Sequence, residues 1–406
     1  MGTLDTKGSE FAFVRDAVRR TGLNVLSVDF GVLGEPAFEP EVGRDQVAAA
    51  GGGDLERLRW SAQKDEAMSI MAAGLCIVVR RLYDEGHLQG ILGMGGSGGT
   101  SIATTAMRAL PLGVPKLMVS TVAAGDITPY VGTKDITFMP SVVDVAGINR
   151  ISQLIYANAA AAIAGMVAAR ELAAETDKPL ISVSMFGNTT AGVDRARQRL
   201  ERAGLEVIVF HATGNGGRTM DDMVRDGVFQ GVLDMTTTEL ADEVCGGVMS
   251  AGPTRGHAAP AAGVPVVFAP GCVDMANFGG PGMVPARYAS RHLYRWNANV
   301  TLLRTNVAEN IQIGELLASA ANDAVGPVAV MLPLQGVSML DRPGGEFWDP
   351  EADRACYEAI RAHLHRTVPV IEIDSNINDP EFVDRAVDTL LSMITVAGGE
   401  PDGIHT

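Results

Sequence analysis

The residues whose types and spacing could do chemistry lie in glycine-rich loops that follow short apolar runs. The first is Gly93-Met94-Gly95-Gly96-Ser97-Gly98-Gly99-Thr100, which ends one apolar run and opens a helical stretch. Successive glycines let backbone N–H groups converge on an anion, and a helix N-terminus adds partial positive charge. The hydroxyls of Ser97, Thr100 and Ser101 enlarge the donor set. The loop lacks the Gly-Lys-Ser/Thr end of a P-loop and is not a first-strand dinucleotide fingerprint. The same glycines also suit a tight turn that lets the helix pack on its sheet.

The second loop is the opening, Gly2-Thr3-Leu4-Asp5-Thr6-Lys7-Gly8. Lys7, ahead of a helix expected to start near Ser9, brings an ammonium and N–H groups to the same anion. Asp5 has the chemistry for a water-mediated Mg²⁺, which takes few protein ligands when phosphates supply the rest. The alternative is a solvated N-terminal tail. The third is VAAGDITPYVG, residues 122–132. It places Gly125 and Asp126 after an apolar run, at the sheet edge where α/β proteins bind ligands, unless the segment is a connecting loop with a helix cap. Asp29 ends its run where an acidic residue often takes a ribose hydroxyl.

Four more polar loops follow apolar runs in the second half. Asn188, Thr189 and Thr190 precede a helical stretch and suit a carboxylate or phosphate. Gly214, Gly216 and Gly217 form a second candidate anion nest, with Arg218 as a bidentate partner. His211 and Glu239 are the acid/base candidates, Cys272 the nucleophile candidate, and Asp274 a further catalytic candidate that could also bind metal. Each has a plainer reading. Residues 236–238 suit helix capping, and a free cysteine is more often an inert buried residue than a nucleophile. No His/Asp spacing supports a protein-only metal site.

These loops need sheets to hold them. Runs of four to seven apolar residues bounded by Gly or Pro alternate with helical stretches along the whole chain, the pattern of strands buried on both faces. In the first half the expected strands are residues 24–30, 89–94 and 116–120, with helices over 10–20, 60–85 and 101–110. In the second half they are 180–186, 205–211, 231–235, 264–269, 300–304, 328–332 and 368–373. The fold class is α/β, with two Rossmann-like domains, each a mainly parallel sheet flanked by helices. The boundary is expected at residues 173–178, a charged stretch leading into Pro179. It gives a nucleotide-binding domain over 1–176 and a second α/β domain over 177–406.

Composition narrows the function classes. The chain has 406 residues, 47% hydrophobic and 20% charged, with 47 glycines. That is a folded globular protein with room for two cores. Its net charge of −16 disfavours general nucleic-acid binding. Cys76, Cys245, Cys272 and Cys356 have no C-x-x-C spacing, which argues against a disulfide framework and structural zinc. The N-terminus is polar without an apolar signal core, and the alanine-rich stretch 151–169 reads as a buried or half-buried helix, not a membrane span. The expected setting is cytoplasmic.

GTLDTKG, GMGGSGGT and AGDITPYVGTKDI occur in this order, with FGNTTAGVDRAR, DMTTTELADEV, PGCVDMANFG and LPLQGVS further on. Over essentially its whole length the chain resembles the uncharacterised family grouped with the ATP-binding inhibitory domain of the tomato mosaic virus resistance protein. The resemblance implies two α/β domains, ATP and Mg²⁺ in the first, and homodimers. It implies no settled reaction. Three functions remain open. One is an ATP-dependent enzyme acting on a small carboxylated or phosphorylated metabolite, with domain closure over an interdomain crevice. Another is a nucleotide-binding regulatory or interaction protein. The last is an ATP-independent lyase or hydrolase working in the second half.

Overall fold

The computed structural model describes residues 1–60, 64–169 and 178–397. The chain divides into two compact units, Met1–Glu175 and Thr176–Thr406. Of the expected boundary, residues 173–177 lie outside the described residues, as do residues 61–63 of the expected helix 60–85.

The first unit runs α1 (Leu4–Arg19), α2 (Arg44–Ala50), α3 (Leu55–Trp60), α4 (Lys64–Asp84), β1 (Ile91–Gly95), α5 (Ser97–Arg108), β2 (Lys116–Ser120), α6 (Thr128–Val131), β3 (Thr137–Pro140) and α7 (Arg150–Ala169). β1, β2 and β3 are parallel neighbours in that order. Shorter pieces extend the sheet beyond β1. The Met1 amino group donates to the Leu92 carbonyl at 2.9 Å. Gly2 bridges Asp29, and Val28 bridges Val42, both in parallel. The order across the sheet is therefore Val42, Val28–Asp29, Met1–Gly2, β1, β2, β3. Numbered along the chain that is 3-2-1-4-5-6, the doubly wound order whose ligand crevice lies outside the carboxyl ends of strands 1 and 4.

The strand expected over residues 24–30 shrinks to these two bridges. Its neighbour on one side is the two-residue Met1–Gly2, and the Ser27 N–H is taken by the Glu41 carboxylate at 2.7 Å. β3, an edge strand with exposed ends, was not among the expected strands. Within β2 the side chains alternate. Met118 joins Met71, Leu75, Val78 and Met107 on one face, while Leu117 and Val119 join Leu4, Phe11, Tyr156 and Ile163 on the other. Both faces are thus buried, as parallel sheets require. α7 is long and apolar enough to cross a membrane by length and composition. Here one side of it, through Tyr156, Ala159, Ala160 and Ile163, packs with α1 in the core.

The second unit runs β4 (Leu180–Met185), α8 (Thr190–Arg202), β5 (Glu206–His211), α9 (Asn215–Arg225), β6 (Gly231–Thr236), α10 (Thr238–Cys245), α11 (Ala258–Ala262), β7 (Val266–Gly271), β8 (Met275–Phe278), β9 (Leu293–Arg295), β10 (Thr301–Arg304), α12 (Val307–Asn322), β11 (Val328–Pro333), α13 (Pro350–His363), β12 (Val370–Ile373) and α14 (Pro380–Ala397). A parallel sheet has the order β12-β11-β7-β6-β4-β5, again with both faces covered. Its strand order reverses at β4, between β5 and β6. β10, expected as a further strand, instead pairs antiparallel with β8 and β9 in a separate small sheet. β8 and β9 have four and three residues and sit in polar loops, too short to leave a period.

Candidate functional site

In the first unit β1 ends at Gly95 and α5 begins at Ser97, with only Gly96 between them. A Cβ on Gly95 would lie 3.2 Å from Gly99 Cα, and one on Gly93 3.1 Å from Ala103 Cβ. Glycine lets the helix sit this close to its strand. Gly96 makes no side-chain cap and the first turn holds no acid. The first intrahelical bond is Thr100 N–H to Gly96 C=O at 2.8 Å. The amides of Ser97, Gly98 and Gly99 therefore project from the helix end without intrahelical partners, with the helix dipole behind them. Ser97 is exposed. Thr100 is not available in the same way. It is buried, and its hydroxyl shares a 2.7 Å hydrogen bond with Ser120, tying α5 to the end of β2.

The opening motif borders the same edge. The bond from Met1 to Leu92 sets Met1 about level with Gly93, which brings Thr3 level with Gly95. α1 starts at Leu4 and not near Ser9, because the Asp29 carboxylate takes the Leu4 N–H at 3.0 Å. Asp29 is fully buried and also accepts from Gly31 N–H at 2.9 Å. Burial raises its carboxyl pKa against the pull of these two amides. Asp29 thus anchors a helix start, although its Oδ2 has no partner. Asp5 accepts from Leu33 and Gly34 N–H through Oδ2, at 2.8 and 3.2 Å, and its buried Oδ1 has no partner. Lys7 has φ −132° and ψ 24°, a kink inside α1, and its Nζ donates to the Val145 carbonyl. Thr6 bonds Thr3, and Gly8 packs on Ala37, where a Cβ would lie 2.3 Å from the Ala37 Cβ. Thr128 lowers the Asp126 pKa, first through its side chain and then through its N–H, which Asp126 accepts at 2.9 Å, and Gly125 N–H closes a turn onto Val122. Residues 122–128 thus form a turn in which the Asp126 carboxylate takes the first amide of α6.

The second unit arranges its glycines differently. Glu239, on α10, is fully buried. Its Oε1 accepts from Gly214 N–H at 2.6 Å and Gly217 N–H at 3.0 Å. Its Oε2 meets Arg255 Nε at 2.5 Å. The anion nest expected for substrate is filled by the protein's own carboxylate. A Cβ on Gly217 would lie 2.0 Å from that carboxylate, and one on Gly216 1.8 Å from the His211 carbonyl. Arg255 also grips Asp234 through two bonds of 2.6 and 2.8 Å. Burial works against its charge, but Asp234, Glu239 and Asp221 hold its pKa well above the usual value. The acid/base pair expected of His211 and Glu239 is separated in environment. His211 and Arg218 are exposed, with His211 stacked on Phe186 at 5.4 Å, and Glu239 is sealed inside.

The remaining candidates lie near the carboxyl ends of β4 and β7. Asn188 and Thr189 are buried and Thr190 is exposed. Thr189 bonds Thr236 at 2.8 Å, and Thr190 bonds back onto Gly187. Asn188 C=O accepts from Met339 N–H and Asn378 Nδ2, both at 3.0 Å, while its Oδ1 has no partner. Cys272 has φ 59° and no exposure. Burial and the nearby Asp274 push its thiol pKa far up, the reverse of an activated nucleophile. Asp274 accepts from Ser338 at 2.9 Å and leaves Oδ1 without a partner. Beyond it Arg304 bridges Asp341 and Asp353 at 3.4 and 2.8 Å. Burial and Asp341 raise the Asp274 and Asp353 carboxyls well above the usual range, against Arg304. Among the described residues, no group of three or more His, Cys, Asp or Glu side chains is arranged to hold a metal ion.

The chain matches the Uncharacterised protein family (UPF0261) N-terminal domain over residues 1–172 and the C-terminal domain of that family over 178–394. It belongs to the UPF0261 family. A UPF0261 protein of Clostridium tetani is 47% identical over 395 residues, covering 97% of this chain and 98% of its own length. One from Rhizobium meliloti is 42% identical over 390 residues, covering 95% and 96%. The ToMV resistance protein Tm-1 of Solanum lycopersicum is 38% identical over 417 residues, covering 97% of this chain and 55% of the tomato protein.

In this UPF0261 chain sequence reasoning missed Arg255, Arg304, Asp341 and Asp353. Arg255 sits in GPTRGHAAP, a loop with no periodicity, and its partners are 16 and 21 residues away. A charged residue in a loop reads as solvated until the fold buries it. The one available signal was the high density of Gly and Pro around it, which marks close backbone approach.

Proposed function

We propose that the chain binds a magnesium nucleoside triphosphate, ATP by family resemblance, on the first unit. The observation that carries this reading is the group of free amides at Ser97, Gly98 and Gly99, at the point where the strand order reverses. That edge is bordered by both glycine motifs, Gly2–Gly8 and Gly95–Gly99. A helix of 12 residues lies behind the amides, and the missing Cβ atoms leave room for phosphate oxygens to approach the backbone. The unpartnered, buried Asp5 Oδ1 fits a role toward Mg²⁺ through water. Bound magnesium would supply charge neutralisation on the phosphates. Lys7 is the nearby cation, and its present partner is a neutral carbonyl that a phosphate would outcompete.

The proposed reaction acts on a small carboxylated or phosphorylated metabolite. The alternative is a nucleotide-binding regulatory protein without turnover. A homodimer is part of the proposal by resemblance. The antiviral role in the tomato protein's name is not carried over. Thermal unfolding with and without Mg-ATP tests the site, since a ligand of the native state must raise the midpoint. The expected result is a rise that Lys7→Ala reduces. No rise at millimolar nucleotide would refute the proposal. ADP release with a panel of sugar acids then separates enzyme from binder.

A further inference from the structure

β3 ends at Pro140, on the same carboxyl edge of the sheet as the Gly95–Gly99 loop, and residues 141–149 carry the chain from there to α7. Both ends of this segment are fixed. Ser141 N–H donates to the Ser120 carbonyl at 3.0 Å, and the Ser120 hydroxyl is the one that Thr100 of α5 bonds. Asn149 Oδ1 accepts from Ile151 and Ser152 N–H in the first turn of α7, at 2.9 and 3.0 Å. Between those ends the segment is clamped by two side chains of α1, three positions apart. Lys7 Nζ donates to the Val145 carbonyl, and the buried Glu10 carboxylate accepts the Gly147 N–H. The clamped arrangement is not a relaxed one. Val142 has φ 62°, in the left-handed region that a β-branched residue rarely enters. Its side chain is 77% exposed, so packing does not offset the strain. The Tyr156 hydroxyl of α7, in the same apolar cluster as Val145, is buried without a partner. Both features raise the energy of this arrangement, and the α1 contacts hold it in place.

We propose that residues 142–147 are a strap that a bound triphosphate releases by taking Lys7. This rests on the nucleotide reading and adds the regulation of that site. A phosphate oxygen and the Val145 carbonyl compete for one ammonium, and the charged acceptor makes the stronger bond. With Lys7 withdrawn, Glu10 alone clamps the segment from α1, and Val142 is free to return to a negative φ. Nucleotide binding is then coupled to opening of the strap, and its apparent affinity is reduced by the cost of opening. The strain at Val142 lowers that cost, because it is present only while the strap is closed. Residue 142 therefore tunes nucleotide affinity through its backbone conformation.

Hydrogen exchange of the full chain, read by mass spectrometry with and without Mg-ATP, follows the strap and the site together. Nucleotide is expected to slow exchange at residues 96–100 and to speed it at 142–147. Lys7→Met should show the faster exchange at 142–147 without nucleotide, and no further change there with it. Asparagine tolerates the left-handed region, so Val142→Asn should slow exchange at 142–147 and weaken Mg-ATP binding roughly threefold or more in calorimetric titration. Val142→Ile keeps the strain and should match the native chain in both readouts. Nucleotide that slows exchange at 96–100 but leaves 142–147 unchanged overturns the strap and leaves the nucleotide site standing. Native affinity in Val142→Asn, or an equal loss in Val142→Ile, does the same. No binding and no slowing at 96–100 overturns both.

Discussion

The loops at Gly95–Gly99 and Gly214–Gly217 start from the same design. Each follows a parallel strand, each opens a helix, and each has glycine at the second helical position, Gly98 in α5 and Gly216 in α9. They end in opposite states. Neither helix has an acid in its first turn, and the first presents open amides. The second receives Glu239 from α10, which bonds two of its amides and is in turn fixed by Arg255. A glycine loop is therefore a general anion acceptor, and a carboxylate supplied from elsewhere in the fold decides whether it remains open. The closed loop is part of a buried ion network, and the open one is where the proposed nucleotide would bind.

The sharpest way to break this contrast is Arg255→Ala. It leaves Asp234 and Glu239 buried without their cation, and urea unfolding should show a loss of about 3–5 kcal/mol. A loss below about 1 kcal/mol would mean the network is not what holds the closed loop. Gly216→Ala comes next. Its Cβ would meet the His211 carbonyl at 1.8 Å, so a cost of about 1–3 kcal/mol is expected.

Protonation gives a further difference, because, of the carboxyls raised by burial, Asp29 lies in the first unit, while Asp221, Asp242, Asp274, Asp341 and Asp353 lie in the second. Burial raises Asp242 to about 7 and Asp221 to about 6, and Asp274 and Asp353 are raised as well. The folded state then holds protons that the unfolded state, with carboxyl pKa values near about 4, has lost. These groups favour the fold at low pH, and their contribution falls as pH rises from about 4 towards 8. Urea midpoints across that range should decline, and Asp353→Asn should flatten the decline. An unchanged slope in that variant would remove Asp353 from the account.

The smallest effect is expected at Gly98→Ala, the counterpart of Gly216. Its Cβ would meet only Met68 Cε, at 3.6 Å. Stability should stay level or rise by up to about 0.5–1 kcal/mol, while nucleotide affinity falls. The same substitution at equivalent positions should therefore change stability in opposite directions.

What was legible in the sequence follows the same division. Apolar runs bounded by Gly or Pro, such as LISVSMF and KLMVS, announced the parallel strands because burial on both faces leaves a continuous signal. The glycine loops were visible because glycine is required locally, at Gly95 by the approach of Gly99. What could not be read was long-range. Glu239 filling the Gly214–Gly217 nest joins residues 22 and 25 positions apart. Residues 24–30 looked like a full strand because their composition is right, but a strand forms only where its neighbours are long enough to pair.

The central claim is that the amides after Gly96 bind a triphosphate, and calorimetric titration of Mg-ATP into the native chain and Gly96→Val tests it most directly. A Cβ at Gly96 meets only Thr121 Oγ1, at 3.8 Å, so the variant should fold, at a cost of about 1 kcal/mol for valine at the N-cap of α5, while its side chain blocks the approach to the loop. The account expects binding to the native chain and at least a tenfold loss in the variant. Equal affinity in the two, or none in the native chain, would contradict it.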